Sequence, residues 1–163
     1  MAVLRENQYP ESMIDLHSID VWQQLTVIIN ASIAAFLGSF IGWERDRAGK
    51  SAGPRTMALV GSASAAIVSI GAIIDQAVQS GDPTRALHAV ITGIGFLGAG
   101  LIFTDKHSTG IQGVTTAATV FSTAAVGVAV GLGFQIAGAG LTLIILIILR
   151  STHVIEKSIN RTV

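Results

Sequence analysis

Apolar residues in this chain fall into five blocks, with the polar residues gathered in the gaps between them. The blocks are Val21–Trp43, Thr56–Ile74, Leu87–Phe103, Gly113–Leu132 and Phe134–Leu149. A helix of about 20 apolar residues crosses the roughly 30 Å of hydrocarbon in a bilayer. The pattern therefore predicts an all-α fold, a polytopic membrane helical bundle of five transmembrane helices. Leu132–Gly133 leaves almost no loop between the fourth block and the fifth, and Gly131 and Gly133 predict a tight turn there. The expected organisation is an N-terminal extramembrane segment at 1–20, a five-span membrane domain at 21–149 and a short cytoplasmic tail at 150–163.

Part of the pattern occurs twice. Phe36–Gly71 and Phe96–Gly131 align without a gap at an offset of 60, with 11 identities that include Phe36/Phe96, Gly38/Gly98, Gly53/Gly113, Thr56/Thr116 and Gly71/Gly131. Each copy reads as an apolar helix, a polar loop closed by Gly, and a second helix rich in small residues. Two such hairpins in the same orientation imply a parallel repeat about an axis along the membrane normal.

Small residues recur every four positions along several blocks. The first carries Ala34, Gly38 and Gly42, the second Gly61, Ala65 and Ser69, and the fourth Thr119, Thr123, Gly127 and Gly131. Residues four apart share a helix face. In lipid, spans associate through close backbone approach rather than through the hydrophobic effect. These ladders are read as helix-packing faces. The third block holds Gly93, Gly95, Gly98 and Gly100, which predict either packing or a distorted helix beside a pore. Some of these faces are expected to serve a homo-oligomer, with a dimer favoured.

Composition agrees with the membrane reading and adds the orientation. Mean hydropathy is +0.64. Charged residues make up 12% of the 163 residues, half the soluble average of about 25%. Net charge is zero, so no bulk field favours nucleic acid as a partner. The absence of cysteine excludes disulfides, thiolate metal sites and cysteine nucleophiles. The first 20 residues carry Arg5, Glu6, Glu11, Asp15 and Asp20, which does not fit a cleavable signal peptide. Arg45, Arg47, Lys50 and Arg55 crowd the first loop, Lys106 lies in the third, and Arg150, Lys157 and Arg161 follow the last block. By the positive-inside rule the N-terminus is expected outside and the C-terminus in the cytoplasm.

The charged loop is the leading chemical candidate. Arg45, Arg47, Lys50 and Arg55 attract anionic headgroups, and Glu44 is expected to pair with Arg55 or Arg45. Arg55-Thr56 opens the second helix, where backbone N–H groups receive anions. Ala48-Gly49-Lys50-Ser51 imitates the end of a phosphate loop, but the first Gly would fall at Glu44 and no strand precedes it. Nucleotide hydrolysis is therefore rejected. Thr92, Thr115, Thr116, Thr119 and Thr123 form a candidate polar track beside the glycine-rich third span. Magnesium favours carboxylates and retained water, yet Glu44, Asp46, Asp75, Asp82 and Asp105 all lie outside mid-membrane positions. His17, His88, His107 and His153 have no metal spacing. No metal site, cofactor or catalytic constellation is expected.

Two motifs occur in order. One is Gly38-x-x-x-Gly42-x-Glu44-Arg45 followed by Gly49-Lys50-x-Ala52-Gly53-x-Arg55-Thr56. The other is Gly93-Ile94-Gly95-Phe96-Leu97-Gly98-Ala99-Gly100 followed by Gly113-x-Thr115-Thr116-Ala117-Ala118 and Ala124-Ala125-x-Gly127. Over roughly Ile33–Gly131 they resemble the membrane domain of the MgtC/SapB family, in its short SapB-like form. The resemblance implies a five-span bacterial inner-membrane protein linked to growth at low magnesium. In some members it also implies virulence and interference with the membrane ATP synthase, and many relatives are named as magnesium transport proteins. The family usually has Gln, Arg and Trp where this chain has Ala89, Gln112 and Phe121.

The leading expectation is a non-enzymatic protein acting on a membrane partner in magnesium or envelope homeostasis. The rivals are a small ion or solute transporter with its path at the third-span glycines, and a lipid-interacting module that uses the basic loop.

Overall fold

Asp20 starts the first helix, its backbone N–H donating to Gln23 Oε1 at 3.2 Å, one half of a reciprocal N-terminal cap. The computed structural model describes residues 20–78, 82, 84–104 and 110–159, and of these 77, 78 and 152–159 by their backbone only. The N-terminal segment up to 19, Asp105, Lys106, His107 and Arg161 lie outside the described residues, as do the side chains of His153 and Lys157. The helices are α1 (Val21–Arg47), α2 (Pro54–Val78), α3 (Arg85–Leu101), α4 (Val114–Gly131) and α5 (Gln135–Ile159). α1, α2 and α4 are long and apolar enough to cross a membrane, while α3 and the Gln135–Ser151 part of α5 are shorter apolar helices.

The five-helix bundle follows the apolar blocks, and the differences lie at the ends. α1 continues past Trp43 to Arg47, because Glu44–Arg47 has no helix breaker and Gly49 (φ 65°) supplies the left-handed stop. α5 runs on to Ile159, so the residues after Leu149 begin as helix. Between α3 and α4 there is a small unpredicted feature. Two strands, β1 (Phe103–Thr104) and β2 (Ile111–Gln112), pair antiparallel with Phe103 opposite Gln112. Phe103 thus ends in a strand rather than in the third helix. The expected tight turn is present. Gly133 (φ 88°) follows α4, its N–H donating to Val130 O, and Phe134 N–H donates to Ala129 O, a Schellman ending.

Helix directions follow from which residues meet. α1 and α2 run antiparallel, with Asn30 against Ser69 and Gly38 against Met57. α2 and α4 run parallel, since Met57, Gly61 and Ala65 meet Thr123, Gly127 and Gly131 in turn. α1 and α5 are also parallel, as Asn30 bonds Gln135 while Ile41 and Leu149 share a core cluster. These are the directions expected of five spans crossing alternately. The 60-residue offset reappears in the packing. Gly38 abuts Met57 in the first hairpin and Gly98 abuts Ala117 in the second, while Gly42 meets Gly53 as Ile102 meets Gly113. The second hairpin is looser: a methyl group on Gly98 would sit an ordinary 3.8 Å from Ala117 Cβ, whereas one on Gly38 would overlap the Met57 carbonyl.

Candidate functional site at the arginine end of α1

The buried residues of α1 are Asn30, Ala34, Gly38, Ile41, Gly42 and Arg45. Spacings of three and four put them on one stripe facing the other helices. Arg45 closes that stripe and is only 3% exposed. Its Nη2 donates to Thr116 Oγ1 at 3.1 Å, in the first turn of α4, and its Nε has no hydrogen-bond partner among the described residues. Burial disfavours its charge, and the neighbouring Glu44 carboxylate partly offsets that. Position in the last turn of a helix also favours a cation. Gly113 caps this corner with φ 86°, and any side chain on it would overlap the Leu101 carbonyl oxygen. Only glycine lets α4 begin so close to the end of α3.

The other basic residues of the loop are not buried with Arg45. Glu44 is half-buried, while Arg47, Lys50, Arg55 and Thr56 are exposed. The Arg47 guanidinium lies over the Trp43 ring, 4.1 Å from its centroid. Glu44 and Arg47 line a cleft of about 650 Å³ between α1 and α5, with Phe40, Trp43, Leu146 and Arg150. Arg150, on the far side of that cleft, completes a pair of guanidinium groups that sequence order alone does not bring together.

The threonines divide in the same way. Thr116, Thr119 and Thr123 are buried, and Thr92 and Thr115 are exposed. Thr119 and Thr123 donate to the carbonyls of Thr115 and Thr119, and Thr123 Oγ1 also lies 3.4 Å from Met57 Sδ. Of the glycines, Gly38, Gly42, Gly127 and Gly131 lie against neighbouring backbone, with no room for a side chain. Added methyl groups on Gly93, Gly95 and Gly100 would meet nothing within 4 Å, and Gly98 touches Ala117 only lightly. Ala89 and Gln112 are exposed, and Phe121 lines an apolar cavity of about 150 Å³ between α3 and α4.

One buried network escaped the sequence reading. Asn30 Nδ2 donates to Ser69 Oγ, Ser69 Oγ to the Gly131 carbonyl, and Gln135 Nε2 to Asn30 Oδ1, at 3.2, 2.9 and 3.2 Å. It ties α1, α2, α4 and α5 together at the end of the bundle opposite Arg45. The available signal was Asn30, an amide four residues before Ala34 on the small-residue ladder. Among the described residues no group of three or more His, Asp or Glu is gathered as a metal site.

The sequence profile of the MgtC family matches residues 32–158, most of the chain. The chain belongs to the MgtC family. It is 41% identical over 116 residues to Protein MgtC of Brucella abortus, covering 69% of this chain and 46% of that protein. It is 37% identical over 127 residues to the putative magnesium transporter YhiD of Escherichia coli, covering 73% and 58%. An uncharacterised protein of Haemophilus influenzae is 36% identical over 143 residues, covering 84% and 60%. The chain thus spans about half the length of the curated relatives it matches. No solved structure matches it. In this MgtC-family chain both quoted motifs fall inside the matched region. They supply Arg45 and Thr116, which the fold joins across 71 positions.

Proposed function

We propose that this protein is a non-enzymatic, multi-pass protein of the bacterial inner membrane that supports adaptation to low magnesium or envelope homeostasis through a membrane protein partner. Its N-terminus lies outside and its C-terminus in the cytoplasm, and it works as a homo-oligomer, a dimer in the simplest case. The observation that carries the reading is where packing and charge are found. The interior is closed by backbone contact at Gly38, Gly61, Gly127 and Gly131. Charged groups gather at one end around Glu44, Arg45, Arg47 and Arg150. That arrangement supports a role played through surfaces over one played through a path. Family membership and the magnesium-related name of the Escherichia coli relative support the physiological setting.

Growth at limiting magnesium tests this in a host lacking its own MgtC-family gene. The intact chain restores growth, and Arg45→Gln does not, although it inserts at the same level. Growth unaffected by the protein overturns the reading. The Escherichia coli relative's name favours a second reading, ion transport beside the glycine-rich α3. Magnesium flux into proteoliposomes that is abolished by Gly98→Leu would establish transport and displace the partner reading.

A further inference from the structure

The cleft between α1 and α5 sits at a definable depth. Trp22 and Trp43 are both exposed, at 74% and 49%, and lie towards opposite ends of α1. They are 21 residues apart (43 − 22) on one helix, a rise of about 31 Å. That is close to the thickness of the hydrocarbon core, and tryptophan favours the membrane–water boundary. Trp43 therefore marks the boundary on this face. Phe40 is about one turn deeper, at acyl-chain level, and Arg47 about one turn further out, at headgroup level. α5 repeats the arrangement, with Leu146 apolar and Arg150 charged one turn later.

We propose that this cleft is a binding site for an anionic glycerophospholipid, with Arg47 and Arg150 holding the phosphodiester and Phe40, Trp43 and Leu146 holding the start of an acyl chain. The cleft of about 650 Å³ is large enough for a headgroup and its glycerol. The Trp43 ring steadies the Arg47 guanidinium by a cation–π contact, so less freedom is lost on binding. Arginine suits phosphate because its planar fork presents two parallel donors. Glu44 lines the same cleft. The two guanidinium groups outnumber that one carboxylate, so the lining is net positive and favours an anionic headgroup over a zwitterionic one. The inference rests on the membrane reading alone, so it survives if the growth test of Arg45→Gln fails.

The test uses the full chain in neutral detergent, offered equal amounts of phosphatidylglycerol and phosphatidylcholine, with bound lipid read by native mass spectrometry. Phosphatidylglycerol is retained preferentially. Arg47→Gln and Arg150→Gln each lower its retention about fivefold, the effect of one basic residue at a membrane surface. Arg55→Gln, a basic loop residue outside the cleft, leaves retention unchanged, and millimolar inorganic phosphate does not displace the lipid. Arg47 and Arg150 are exposed, so their substitution leaves the packed interior alone. Equal retention of the two lipids, an equal loss with Arg55→Gln, or displacement by inorganic phosphate overturns the proposal.

Discussion

Arg45 shows how much one residue's setting depends on the fold. A cation 3% exposed is costly unless its donors are used, and here one donor is used on Thr116 and a carboxylate lies nearby. Breaking and replacing the arrangement are therefore different experiments. Thr116→Val strips the guanidinium of a partner and is expected to lower stability by about 1–3 kcal/mol. Arg45→Met combined with Glu44→Gln removes both charges at similar volume and is expected to be neutral or stabilising. Thermal unfolding in detergent, followed by fluorescence-detected sizing, measures both. Unchanged melting of Thr116→Val would show that the bond contributes nothing.

Between helices, close approach replaces side-chain interdigitation. α2 and α4 meet backbone to backbone at Gly61 and Gly127, where a methyl group on Gly61 would also lie 2.7 Å from the Ala34 carbonyl oxygen of α1. Three helices thus converge on one glycine level. Gly127→Leu is expected to cost about 3 kcal/mol or more, since the opposing backbone cannot yield. Gly93→Ala, where an added methyl meets nothing within 4 Å, is expected to stabilise α3 by about 0.5–1 kcal/mol. The two variants compared in one melting series separate glycines that pack within a single chain from those that face outward. The connection between α2 and α3 is held differently. Thr84 donates from its hydroxyl and its backbone N–H to Asp82 at 2.6 and 2.9 Å. Those two bonds hold the Asp82 carboxyl below its ordinary range.

The whole molecule leaves α3 at its edge. Phe96 is 81% exposed, and Leu97 and Ile91 are exposed beside Gly93, Gly95 and Gly100. In a dimer formed through this face, small residues would let two α3 helices approach closely. The chain contains no cysteine, so Gly95→Cys provides a single reporter. Oxidation in native membranes is expected to give a covalent dimer, while Leu59→Cys, on an exposed part of α2, stays monomeric. Equal cross-linking at both positions would show random collision rather than a defined interface.

Much of the architecture was legible before any coordinates. Apolar blocks of about 20 residues cross lipid as helices that close their own backbone hydrogen bonds, so five blocks meant five helices. The 60-residue repeat carried the turn glycines Gly53 and Gly113 and the helix contacts that recur with them. Their spacing of four already marked Gly38 and Gly42 as one face. Continuing that face by three residues reaches Arg45, yet its charge suggested a solvated loop. Only tertiary packing, which brings α4 across the end of α1, turned it inward to Thr116. Distance along the chain hid the rest. Asn30, Ser69 and Gln135 meet because four helices converge, and Arg150 joins Arg47 because α1 and α5 run parallel. The local period of a helix fixes which residues share a face. Which faces meet is decided by the packing of all five helices, and a linear pattern does not record it.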